Sequence, residues 1–120
     1  MAEDRPARIA RFLAGEYRAA RTAEQAGDIA AAWRHLERAH VVAQARLIPH
    51  CRSHWAMLRL ALRLRDWREA AGQAIRLTLA PIGNLTGRLP PGNVGRARVS
   101  AFAPMAIPPD LEAILHPESR

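Results

Sequence analysis

The sequence predicts an all-α chain: two antiparallel helix–turn–helix repeats, then an extended Gly/Pro-rich tail and a short C-terminal helix. Three observations carry this. Apolar residues recur at spacings of three and four from the N-terminal region as far as Ala80. One segment, running from Gln25 to Ala39, recurs in altered form from Arg63 to Leu77. Glycine and proline crowd into the stretch after Ala80, where helical grammar stops. At 120 residues the chain suits one domain, with 1–80 as a four-helix core and 81–120 as a wrapping segment and terminal helix.

The first helix is expected over roughly 6–25, where Ile9, Phe12, Leu13, Tyr17 and Ala20 form an apolar stripe. The repeat then begins. QAGDIAAAWRHLERA, from Gln25 to Ala39, aligns with RLRDWREAAGQAIRL, from Arg63 to Leu77. In both, a short turn ends in an aspartate (Asp28, Asp66) and an apolar residue follows. A small residue comes four positions after the aspartate (Ala32, Ala70), then a core position (Leu36, Ala74). The second helix is placed at 29–46, the third at 49–64 with Pro49 in its first turn, and the fourth at 66–79. Cys51, Trp55, Leu58 and Leu62 supply the third helix with its apolar stripe. The aspartate-ended turn, the apolar residue after it and the small residues at close helix contacts resemble the tetratricopeptide repeat, over about residues 8–80. The first unit lacks the Trp-Leu-Gly opening of that family.

PIGNLTGRLPPGNVGRARVSAFAPMAIPP, after Ala80, holds four of the seven glycines and six of the nine prolines. Only RVSAF alternates like a strand, and it has no partner strand, so an extended segment crossing the helices is expected, anchored by Val99, Phe102 and Met105. A last helix should start at Asp110, as N-cap after Pro108 and Pro109, run through Leu111, Ile114 and Leu115, and cover the open end of the stack.

The net charge of +7 would ordinarily suggest a polyanionic partner. All 18 basic residues are arginine, however, spread from Arg5 to Arg120 without interleaved aromatics, which argues against nucleic acid and fits a GC-rich coding bias. No window offers the roughly 18 apolar residues of a membrane span, and MAEDRPARIARFLAGEY has no apolar core of signal-peptide length. A cytoplasmic protein without a membrane span is expected. The single cysteine, Cys51, excludes an internal disulfide.

Chemistry concentrates in LERAHVVAQARLIPHCRSHW, Leu36 to Trp55. His50 and His54, at i and i+4, share a helical face and can chelate one ion. In a hairpin with its turn near residue 48, His54 at ~9 Å above the turn is nearly level with His40 at ~12 Å, which would add a third nitrogen. Glu37, at ~16 Å, would be a carboxylate ligand or would orient an imidazole by hydrogen bonding. Side chains lean toward their own N-termini, so His40 and His54 should diverge somewhat. Imidazole with one carboxylate suits zinc, iron, copper or nickel and does not choose among them. A carboxylate-bridged di-iron site fits poorly, because only one E-x2-H pair is present and Glu16 is the only obvious extra carboxylate on the first helix.

The same residues allow a plain polar seam. Glu37 would pair with Arg59, and Gln44, Gln73 and Tyr17 would satisfy the imidazoles. GNVGRAR follows no strand and lacks the lysine of a phosphate loop, and no Ser-His-Asp set stands out, so catalysis has a route only through the metal. LERAH-x3-Q (Leu36 to Gln44), H-x3-H (His50, His54), G-Q-x2-R (Gly72, Gln73, Arg76) and G-R-x-P-x-G-N-x-G (Gly87 to Gly95) together resemble an uncharacterised bacterial family of short helical proteins. That resemblance runs nearly end to end and implies no particular activity. Two readings result. One is a transition-metal protein using His40, His50, His54 and Glu37 for sequestration or sensing, in which a homodimer could complete an open ligand set. The other is a tetratricopeptide-like interaction module whose arginine-lined face grips an acidic peptide or a partner helix.

Overall fold

The computed structural model describes residues 3–117 and contains five α-helices and, among those residues, no strand. They are α1 (Arg5–Gln25), α2 (Ile29–Ala43), α3 (Leu47–Arg63), α4 (Trp67–Thr86) and α5 (Pro109–Leu115). The principal pairings are α1 with α2 and α3 with α4, two hairpins that meet through α2 and α3.

The repeat holds hydrogen bond for hydrogen bond. In the first turn Gly27 N–H donates to Glu24 O and Asp28 N–H to Ala23 O; in the second, Arg65 N–H donates to Leu62 O and Asp66 N–H to Ala61 O. These pairs close a Schellman motif, which needs a left-handed residue just before the aspartate. Gly27 (φ 81°) supplies it in the first turn and Arg65 (φ 56°) in the second. Each aspartate then caps the next helix, Asp28 accepting from Ala31 N–H and Asp66 from Glu69 N–H. Two helices are thus joined with almost no loop, which fixes each pair as antiparallel.

Two clusters fill the interior. Ala20, Ala32, Trp33, Leu36, Met57, Leu60, Ala61 and Ala70 join the hairpins. Ile9, Leu13, Ala39 and Val42 receive Leu111 and Leu115 of α5. The terminal helix therefore covers the first hairpin, and its N-cap is Pro108; Asp110 lies inside the helix and pairs with Arg38 at 2.7 Å.

Three further expectations need correction. The fourth helix does not stop near residue 79 but continues through Pro81 to a left-handed C-cap at Gly87. Pro81 removes one ladder bond, and the added turns are held from outside: Asn84 donates to Gln44 O at 3.0 Å and accepts from His50. The stripe assigned to α3 is rotated. Trp55 is 51% exposed and Leu62 46%, whereas the buried face reads His50, Ser53, His54, Met57, Leu60 and Ala61. The tail, finally, turns at residues 97–98 and 101–102, and two of its expected anchors stay outside, Phe102 at 80% exposure and Met105 at 39%, while Val94 and Ile107 pack on the core. Polar groups hold it as well. Arg76 donates to the carbonyls of Arg96, Ala97 and Val99, and Asn93 Nδ2 donates to Ser100 O and Ala103 O.

Arg65 is the only described non-glycine residue with positive φ, and a side chain in that region costs about 1 kcal/mol. Arg65→Gly should therefore raise the melting temperature by about 4 °C. Gly27→Ala should lower it, since a Cβ there meets nothing within 4 Å and the cost is purely one of backbone conformation. Thermal melts of the two variants check the pair of signs.

Candidate metal centre

His40 from α2 and His50 and His54 from α3 converge inside the molecule, at 2%, 3% and 3% exposure. Their ring centroids are 4.6, 4.9 and 5.1 Å apart, close to an equilateral triangle. The Nε2 atoms of His40 and His54 lie 3.2 Å apart, as do those of His54 and His50. One ligand atom from each of the three histidines lies within 4.8 Å of the others.

The partners of the outer nitrogens fix the tautomers. His40 Nδ1 lies 2.7 Å from the carbonyl oxygen of Asn93, which can only accept, so Nδ1 carries the proton. His54 Nδ1 lies 2.8 Å from Gln73 Oε1, and the amide nitrogen of Gln73 is already donating to Glu69 Oε2 and Gly95 O. His50 Nδ1 lies 2.7 Å from Asn84 Oδ1, whose amide nitrogen donates to Gln44 O. Each imidazole is thus Nδ1–H, and each presents an unprotonated Nε2 to the same point. The contacts between Nε2 atoms hold no proton to share, so three buried lone pairs oppose one another. An unsatisfied buried acceptor costs ~1–3 kcal/mol. A cation at the centre removes all three penalties together, and tetrahedral coordination with ~2.0–2.1 Å metal–nitrogen bonds places ligand nitrogens ~3.3 Å apart. The donor set fits a transition metal ion.

Electrostatics keep the rings neutral, as metal ligation requires. Burial pushes His40 well below the ordinary histidine range, with His54, His50 and Arg76 adding to the effect against the hydrogen bond to Asn93. Burial brings His54 down to about 4, opposed by the bond to Gln73 and reinforced by His50 and Arg76. His50 is lowered by burial, opposed by Asn84.

Behind the triad runs a polar chain from α3 through α4 and the tail to α2. Gln73, fully buried, joins His54 to Glu69; Glu69 accepts from Arg96 at 2.9 Å and from Ala97 N–H at 2.8 Å; Arg96 reaches Glu37 at 3.0 Å and lies 3.7 Å over the Trp33 ring. Glu69 stays below the usual carboxylate range although burial opposes it, because Ala97, Gln73 and Arg96 donate to it. The tail closes over His40, and Gly95 is where it does so. At φ 84° it presses so near that a Cβ would stand 2.7 Å from the ring.

The structure thus brings His40, His50 and His54 together, despite the expected divergence of His40 from His54. It does not bring Glu37 to them: its carboxylate is held by Arg96, at the far end of the chain that begins at His54. Arg59 is exposed and does not pair with Glu37, because it stands about 140° around α3 from His54, and one helix cannot aim both at α2. Gln73 orients an imidazole directly, whereas Gln44 acts one step out, donating to Pro90 O and accepting from Asn84. The Tyr17 hydroxyl is buried without a hydrogen-bond partner among the described residues. Sequence reasoning missed Asn84, Asn93, Glu69 and Arg96 as supports. Asn93 stands inside the G-R-x-P-x-G-N-x-G motif and could have been found there; Asn84 lies in a stretch whose sequence predicts no helix.

The family described as "Protein of unknown function (DUF3703)" matches residues 7–115. The chain belongs to this family. No curated protein and no solved structure matches it. Among the described residues, no helix of this family member is long and apolar enough to cross a membrane.

The depressed histidines give the metal-free protein a pH signature. The unfolded chain takes up protons near 6.5 while the folded triad resists until much lower pH, so the unfolded state binds more protons in that window. The stability due to neutral histidines is complete above about 6.5 and is lost as pH falls toward about 4, the value for His54. Each histidine contributes up to ~1.4 kcal/mol per pH unit. Denaturant midpoints of chelator-treated protein between pH 7.5 and 4.5 should fall steeply, and less steeply for His54→Gln.

Proposed function

We propose that the protein binds one transition metal ion through the Nε2 atoms of His40, His50 and His54, and that it serves to sequester or sense that ion. The observation that carries this is the convergence of three buried, unprotonated nitrogens whose opposite ring nitrogens all donate to fixed acceptors. Oriented imidazoles of one tautomer are what metal ligation needs, and the supporting acceptors raise ligand basicity. A plain polar seam would instead share protons between the rings. Three neutral imidazoles suit zinc, iron or copper. Among the described residues no carboxylate lines the cavity beside the triad, so none of them stands as a general base at the open coordination position, which favours binding over catalysis.

Protein purified without a histidine tag should take up one equivalent of zinc, cobalt, copper or iron per chain. His40→Ala/His54→Ala should take up none. Asn84→Ala, which removes the acceptor for His50 together with the donor to Gln44 O, should weaken binding about 10–100-fold. Elemental analysis after gel filtration and competition with a chelator check all three; a wild type that retains none of these metals ends the reading.

A second reading rests on a different face of α3. Arg52, Trp55 and Arg59 stand about 140–200° around the helix from His50. With Arg21 and Tyr17 of α1 they line a groove of about 530 Å³, in which Glu24 is the one acidic residue among those described and is already paired with Arg63. Such a groove suits an acidic peptide. A glutamate-rich peptide should bind the wild type and fail on Arg52→Glu/Arg59→Glu, with metal uptake unchanged. Equal binding by both proteins in a fluorescence anisotropy titration would remove this reading.

A further inference from the structure

The triad stands at the inner end of a cavity of about 620 Å³ between α4 and the tail, within the size range of small-molecule sites. Three histidines leave a tetrahedral ion one open position. What fills it is constrained by charge and by the walls. The ligands are neutral, so the ion's charge is uncompensated by the protein. Behind it, Glu37 and Glu69 are matched by Arg96, which pairs with both, and by Arg76, which the Glu69 charge reaches. Among the described residues no aspartate or glutamate lines the cavity, and its remaining charged residue, Arg88, is exposed and makes no ion pair with any of them. A divalent ion in this place therefore calls for an anion from outside. The walls limit its kind. Leu79, Ile82, Leu89 and Phe102 line the cavity, and three of them remain substantially exposed: Leu79 at 43%, Ile82 at 58% and Phe102 at 80%. A small inorganic anion would leave this apolar surface wet.

We infer that the centre takes an organic carboxylate with an apolar body. One carboxylate oxygen fills the open coordination position, Arg88 attracts the charge at the mouth, and the hydrocarbon portion lies along Leu79, Ile82, Leu89 and Phe102. The inference rests on the metal reading above, and the test separates the two. No covalent bond of the carboxylate is made or broken in this event; it is ligation and burial.

The experiment uses full-length protein loaded with cobalt(II), whose visible absorption reports coordination, titrated with acetate, butyrate, hexanoate, octanoate and the uncharged hexanamide. The carboxylates should perturb the spectrum and tighten about fourfold per added methylene until the chain outgrows the cavity. Hexanamide should do neither. Arg88→Ala, an exposed position, should weaken every carboxylate by about fivefold, and Phe102→Ala should flatten the chain-length dependence. Failure to take up cobalt would overturn the metal reading and the carboxylate with it. Cobalt bound with a spectrum that no carboxylate alters would leave the metal standing and overturn the carboxylate, assigning the open position to water or hydroxide. Equal affinity for acetate and octanoate, or a response to hexanamide matching hexanoate, would also overturn it.

Discussion

A primary amide offers two donors and one carbonyl acceptor, and at Gln73 all three are committed inside the protein. The side chain is fully buried on α4; it accepts from His54 of α3 and donates to Glu69 on its own helix and to the Gly95 carbonyl of the tail. Burying an amide without partners costs several kcal/mol, so the three elements can pack only in the arrangement that satisfies it. That arrangement fixes which nitrogen of His54 carries the proton, and so which nitrogen faces the centre. His40 and His50 obey the same logic through Asn93 and Asn84, but Gln73 is where the site and the fold are held by one group.

The tail extends this constraint. A Gly/Pro-rich segment buries little apolar surface, and here Phe102 and Met105 remain exposed. It is held because buried polar groups on the helices need partners that only its backbone supplies: carbonyls for His40, Gln73 and Arg76, and the Ala97 amide for Glu69. Arg96 adds a guanidinium between Glu37 and Glu69 and against Trp33. Tail and triad are therefore interdependent. The tail satisfies the outer nitrogen of His40 directly and that of His54 through Gln73, and its close contact at Gly95 covers the ring of His40.

Much of this was legible in the chain. Asp28 and Asp66 located both turns because a Schellman closure followed by an N-cap uses short-range hydrogen bonds that local sequence dictates. His50 and His54 were legible as a pair on one side of α3 because i and i+4 share a face on any helix. The buried face of α3 was not legible, because apolar residues usually mark the inner side. Here that side carries histidines whose partners, Gln73 and Asn84, lie 19 and 34 residues away. Height above a turn sets Glu37 near the triad, but that measure is blind to a tail that returns 59 residues later with Arg96.

By itself the sequence determined the two helical hairpins, their turns and the pair of histidines on α3, since these depend on propensity, capping and helical period, all properties of neighbours along the chain. The tertiary structure decided that His40 completes the set, that Glu37 stays out of it, and that every Nε2 is the bare nitrogen. Those outcomes depend on which acceptors reach each Nδ1 across the fold. Proton placement on an imidazole is a property of its surroundings in space, and no local spacing encodes it.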